Sequence, residues 1–319
     1  MRLNAELMAE IPPGGRHAEA ARGWLDGVLA EVFPDLLEGL RTRPVTRAVD
    51  RHFDTGPLGE PGQMLGEIWV GVTNPVPRRG VLYSRASWQR MLGSLGKSPM
   101  TVSISIRPLG GNGYPSDQSA YIQVRRHISE PEWLRFTFRA PASFTWHPRP
   151  RPGATAAEVL SFPPGGGVPV VAGRDAGEEV PGPGNGWPKS PELQDRWAGF
   201  VKRQAARIGA CAGLMTERMP AGSDTVLQKP GWPPNTAMLG TRRDALYRYF
   251  WVTIIPPELA VRLGGAEAAT ASGAFCEVSE LPDGSLWLRA TPTLTEFTRD
   301  RLLAVSRALT PVLGISQAR

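Results

Sequence analysis

Apolar and polar positions follow two rhythms along this chain. Between Arg16 and Leu40, the residues Trp24, Leu25, Val28, Leu29, Val32, Leu36, Leu37 and Leu40 recur at helical spacing around Pro34. That predicts an amphipathic helix, kinked or restarted at the proline, with acidic residues on its wet face. Ser84 is placed to cap a second helix whose buried stripe is Trp88, Met91, Leu92 and Leu95, ended by Gly96. The period then falls to two. Val102, Ile104 and Ile106 alternate with Thr101, Ser103, Ser105 and Arg107, a strand follows from Tyr121 to Ile128, and Leu134, Phe136 and Phe138 alternate with Trp133, Arg135, Thr137 and Arg139. One apolar face and one basic face predict a half-exposed antiparallel sheet. A shorter strand is predicted over Glu67 to Thr73.

From Ala140 to Ser190 the rhythm stops. Ten prolines and the run Gly165-Gly166-Gly167 leave little apolar surface to offset about 1–2 kcal/mol of backbone entropy per ordered residue, which predicts a long loop or linker with short strands near Leu160 to Phe162 and Val168 to Val171. Pro191 to Arg218 resumes as a long helix carrying Trp197, Phe200, Val201, Ile208, Cys211 and Met215 inward. The run Tyr249 to Ile255 is aromatic and β-branched, the length of a buried strand, and Pro256-Pro257-Glu258 ends it and opens a helix that stops at Gly264-Gly265. Two further strands, Ala274 to Glu280 and Ser285 to Ala290, are joined by Leu281-Pro282-Asp283-Gly284 as a hairpin, and a helix from Thr295 through Leu309 closes the chain.

These elements predict an α+β fold in two pseudo-repeated halves, each with a long helix, a strand, a short helix and a β-hairpin, in a mainly antiparallel sheet. The predicted division is an N-terminal half over 1–140, a Pro/Gly-rich segment over 141–190 and a C-terminal half over 191–319. The repeat rests on pattern, Glu67 to Val124 matching Arg248 to Leu288, with little residue identity.

Composition changes the picture in a few places. There are 319 residues and a formal charge of +6, but the charge is regional: 3 basic against 7 acidic residues before Arg41, 16 against 7 from Arg41 to Arg151, and 17 against 16 after it. The first sixteen residues lack the apolar core of an export signal and no run approaches a membrane span, so a cytoplasmic protein is expected. Cys211 and Cys276 read as reduced core thiols. His17, His52, His127 and His147 show no paired metal-ligand spacing, and no cofactor or metal site is expected. Gly96-Lys97-Ser98 has the ending of a phosphate loop, but it closes a helix and precedes a strand, which reads as a helix cap. His52 and Asp54 could meet in a turn as an acid-base pair, but an adjacent loop pair is more often surface decoration. With no nucleophile elbow and no carboxylate cluster, a non-enzymatic protein is expected.

The remaining constellation is the basic sheet face. Arg107, Arg125, Arg135 and Arg139, with Trp133 and Tyr121 among them, could present guanidinium forks and aromatic anchors to an acidic protein or to phosphates. They could also be a solvated face, or be paired internally.

At Phe250 to Gly265 the order of aromatic-rich strand, proline turn, Pro-x-Leu and Arg-Leu-Gly-Gly resembles the closing segment of the type VI immunity family, as do the hairpin ending at Ala290-Thr291-Pro292, the last helix, and the helix and glycine-proline connection before Phe250. The resemblance spans about the last 130 residues, and further upstream only length and strand order. It implies a cytoplasmic, non-enzymatic protein that neutralises a cognate secreted toxin by binding it. Contacts are then expected from Arg107, Arg125, Trp133, Arg135 and Arg139 and from the 141–190 segment. A nucleic-acid-binding or phage-defence accessory module using the same basic face is the alternative.

Overall fold

The computed structural model describes residues 2–11, 14–46, 57–71, 80–116, 119–127, 130–141, 191–218, 243–246 and 248–314. The chain is mixed α+β. Ten strands form one sheet: β1 Arg2–Glu10, β2 Met64–Gly71, β3 Val81–Leu82, β4 Thr101–Pro108, β5 Ala120–Arg126, β6 Trp133–Pro141, β7 Ala212–Arg218, β8 Val252–Ile255, β9 Glu277–Glu280 and β10 Leu286–Arg289. Their order is β3-β2-β4-β5-β6-β1-β7-β8-β10-β9, and every pairing is antiparallel. Seven α-helices lie among the described residues: α1 Gly15–Gly27, α2 Pro34–Thr42, α3 Arg85–Ser94, α4 Pro191–Ile208, α5 Pro257–Leu263, α6 Gly265–Ala271 and α7 Arg299–Leu309.

The core sits mainly on one face of this sheet. Leu3, Ala5, Leu7 and Ala9 of β1, Ile104 and Ile106 of β4, Ile122 of β5, and Phe136 and Phe138 of β6 meet Trp24, Val28, Trp88, Trp197 and Phe200 from the helices. Trp24 is the centre of the aromatic packing, with ring centroids 5.6–6.0 Å from Phe136, Phe138 and Phe200. On the opposite face a second cluster joins Ile255, Leu286 and Leu288 to Leu259, Leu263, Val305 and Leu309 of α5 and α7. Strand β10 is therefore buried at all four positions, whereas β5 alternates buried with half-buried or exposed. The second face is helix-covered at the β8-β10-β9 end and carries polar residues from β2 through β1.

Local chemistry accounts for the joints. Pro34 starts α2 after a π-helical turn over Val28–Val32. Ser84 and Ser87 form a reciprocal capping box at α3. Ser84→Ala is expected to lower unfolding free energy by about 1 kcal/mol in urea denaturation, the usual cost of losing a cap. The segment Gly96-Lys97-Ser98 does end a helix, passing through a 3₁₀ turn with Ser98 left-handed at φ 49°. Gly264, at φ 90°, ends α5, and Gly284, at φ 83°, closes the β9–β10 turn.

Three expectations are revised. The helix predicted to reach Arg218 ends at Ile208; Gly209 reverses the chain at φ 63° and 212–218 becomes β7. After Gly264 the chain enters a further helix, α6. The matched strand-helix-hairpin units do not pair alike, since β2 lies beside β4, the first strand of its hairpin, while β8 lies beside β10, the second. The strands predicted near 160 and 170 fall outside the described residues.

Candidate functional site: the polar sheet face

The register places the singled-out arginines on one surface. Arg125 lies opposite Arg135, Tyr121 lies opposite Arg139, and Arg107 follows the same parity on β4. Strands β1 and β2 add Asn4, Glu6 and Glu67 to this surface. Arg107 Nη2 donates to Glu67 Oε2 at 2.6 Å, Arg135 Nη2 to Glu6 Oε2, and Arg139 Nε to Asn4 Oδ1 at 3.3 Å. Arg139 also lies over the Tyr121 ring, 5.6 Å from its centroid. Both carboxylates are buried, while the Arg107 and Arg135 side chains remain 32% and 38% exposed. Paired in this way, the two arginines lose rotamer freedom in the free protein and keep part of the guanidinium accessible.

Arg125 differs. It is exposed and, among the described residues, its side chain makes no hydrogen bond or ion pair, although it stands directly across the ladder from Arg135. Two like charges opposite each other are unfavourable, and the Glu6 carboxylate relieves this by holding Arg135 on the far side. Gln123, two residues along β5, donates to Thr101 Oγ1 at 3.2 Å.

Trp133 is 3% exposed and packs with Met8, Cys211 and Ala212, so its ring is not presented at the surface. Arg243 covers it at 5.8 Å and bridges Glu10 at 3.0 Å and Glu258 at 2.8 Å. Beside this cluster a shallow crevice is lined by Glu6, Met8, Ala212, Gly213, Leu214, Ala245, Leu246, Arg248, Ile254 and Pro256.

No family model matches the chain. No curated protein matches it either. A solved structure of the Pseudomonas aeruginosa T6SS protein PA0821 is similar over 98% of this chain and 73% of that one, at 10% identity and a TM-score of 0.49, too distant for an argument about fold or function.

Burial pushes the Cys211 thiol up to about 11, and its Sγ donates to the Met8 carbonyl at 3.6 Å, so it is protonated and unreactive at neutral pH. Cys276, expected in the core, is exposed just before β9; partial burial still raises its pKa. Among the described residues no three His, Cys, Asp or Glu side chains gather as a metal site, and no helix is long and apolar enough to cross a membrane. His52, Asp54 and His147 lie outside the described residues, as do residues 142–190.

Proposed function

We propose that the protein is a non-enzymatic, cytoplasmic binding protein of the immunity type, which neutralises a cognate toxin by direct contact through the polar face of β4, β5, β6 and β1. Arg125 carries the reading: its side chain makes no hydrogen bond or ion pair among the described residues, whereas Arg107 and Arg135 are held by carboxylates and Arg139 by Asn4. Such a surface offers a partner's carboxylate the Arg125 guanidinium beside arginines already held in place, which favours specificity and encounter rate. The resemblance of the C-terminal segment to immunity proteins supports the same role. Glu6 and Glu67 weigh against the nucleic-acid alternative, because a phosphate approaching Arg107 or Arg135 would compete with a carboxylate already in place.

The test is a titration of the purified protein with candidate secreted toxins, followed by calorimetry and size-exclusion chromatography. A stoichiometric complex is expected, weakened about tenfold by Arg125→Glu with most of the change in association rate. Absence of a complex, or recovery only of nuclease-sensitive material whose affinity falls steeply with salt, would reject the proposal.

A further inference from the structure

We infer that the outer edge of β9 is a docking strip for an extended segment of a partner protein whose residues run basic, polar, apolar; this is independent of the role proposed for the polar face. Among the described strands β9 ends the sheet. Two bonds fix which of its backbone groups face outward. Ala290 N donates to Trp251 O at 2.8 Å, so Leu286, Leu288 and Ala290 of the β10 segment bond towards β8. Leu281 N donates to Ser285 O at 2.8 Å, so Ser285, Trp287 and Arg289 bond the other way, to Leu281, Ser279 and Glu277. The amides and carbonyls of Val278 and Glu280 therefore point off the sheet, and among the described residues nothing bonds them.

Two donors and two acceptors at strand spacing are matched by another strand, which takes up all four in one antiparallel pairing. The side chains then set its sequence. Val278 is half-buried and packs against the second core, so the residue opposite it adds to that core if it is apolar. Glu280 lies on the same face, is exposed and makes no ion pair among the described residues, so the residue opposite it is Lys or Arg. The residue between these two faces α4, opposite Ser279. There Lys202 Nζ donates to Glu277 Oε1 at 2.8 Å and to Ser279 Oγ at 2.7 Å, which leaves one of its three donors for a hydroxyl of the partner.

A second copy of the chain fits this edge poorly. In an antiparallel register that pairs the outward-facing residues of two β9 strands, Glu280 would stand opposite Cys276, Val278 or another Glu280, and none supplies a cation. The short strand and its exposed carboxylate thus discourage self-pairing, and the same carboxylate selects a basic partner.

The test is nuclear magnetic resonance titration of the full chain with the acetylated, amidated peptide Thr-Lys-Thr-Val-Thr. It is expected to shift the Val278 and Glu280 amides and slow their hydrogen exchange, with a dissociation constant on the order of millimolar. N-methylation of the peptide's valine, which removes the donor to the Val278 carbonyl, is expected to weaken binding at least about fivefold. Replacing the peptide's lysine by glutamate should weaken it similarly, and Glu280→Lys, a change at an exposed side chain, should reverse that preference. Four results would overturn the docking strip: Val278 and Glu280 amides already protected in the free chain, shifts of those amides with protein concentration alone, equal binding of the N-methylated peptide, or no response up to about 50 mM peptide.

Discussion

Trp24→Ala is expected to lower unfolding free energy by about 3–5 kcal/mol, a large part of the 5–15 kcal/mol that holds an ordinary domain together. Trp24 is fully buried and touches both layers of the main core at once. Its ring meets Phe136 and Phe138 of the sheet and Phe200 of α4, and its Nε1 donates to the Thr137 carbonyl at 3.4 Å. Truncation removes three aromatic contacts and leaves that carbonyl without this donor in a space its neighbours cannot readily refill. Equilibrium denaturation in guanidinium chloride reads the loss, with Trp24→Phe retaining most of the packing. A loss below about 1 kcal/mol would mean that α1 does not join the sheet to α4 as described.

Much of this core was legible because the helices and the half-exposed strands keep strict periods. Trp88, Met91, Leu92 and Leu95 are all buried as the helical spacing requires, and so are Val102, Ile104 and Ile106. The central strand β1 shows the same alternation, Leu3, Ala5, Leu7 and Ala9 against Asn4, Glu6, Met8 and Glu10, yet both of its neighbours are remote in sequence. Short alanines and an apolar Met8 on the polar side blunt its signal, and no local turn announces a partner. The β7 strand was hidden differently. Ile208, Cys211 and Met215 continue the stripe of α4 at spacings of three and four, so only Gly209 marks the break.

The candidate site divides along the same line. Alternation alone put Arg107, Arg125, Arg135 and Arg139 on one face, because a strand's parity is a local property. Their partners were illegible: Glu67 is 40 residues from Arg107, and Glu6 is 129 residues from Arg135 on a strand whose pairing only the fold decides. The residue that stays unpaired, Arg125, can be told from its three neighbours only after those pairings are known.

The second large effect is expected in acid. His17 on α1 is 1% exposed, its Nδ1 has no partner, and a backbone contact with Leu95 holds it close to Arg126 of β5. Burial, reinforced by the Arg126 guanidinium and only partly offset by Leu95, lowers its pKa from 6.5 to about 4. Arg126 is itself buried and held by the Pro131 carbonyl, with its own pKa lowered by burial and opposed by Glu132, so it cannot readily swing away from a charged imidazole. Between these two values the unfolded chain takes up a proton that the folded chain refuses. The stability due to neutral His17 is therefore complete above about pH 6.5 and is lost as the pH falls towards 4, by roughly 3 kcal/mol at 1.36 kcal/mol per unit. Urea denaturation of the protein and of His17→Gln at pH 7.5, 6, 5 and 4.5 isolates this contribution from that of the carboxylates. The wild-type advantage should shrink steadily below pH 6.5 and be largely gone near pH 4; curves that stay parallel over the whole range would mean that His17 is protonated in the folded protein and that the α1–β5 contact is not the buried one described.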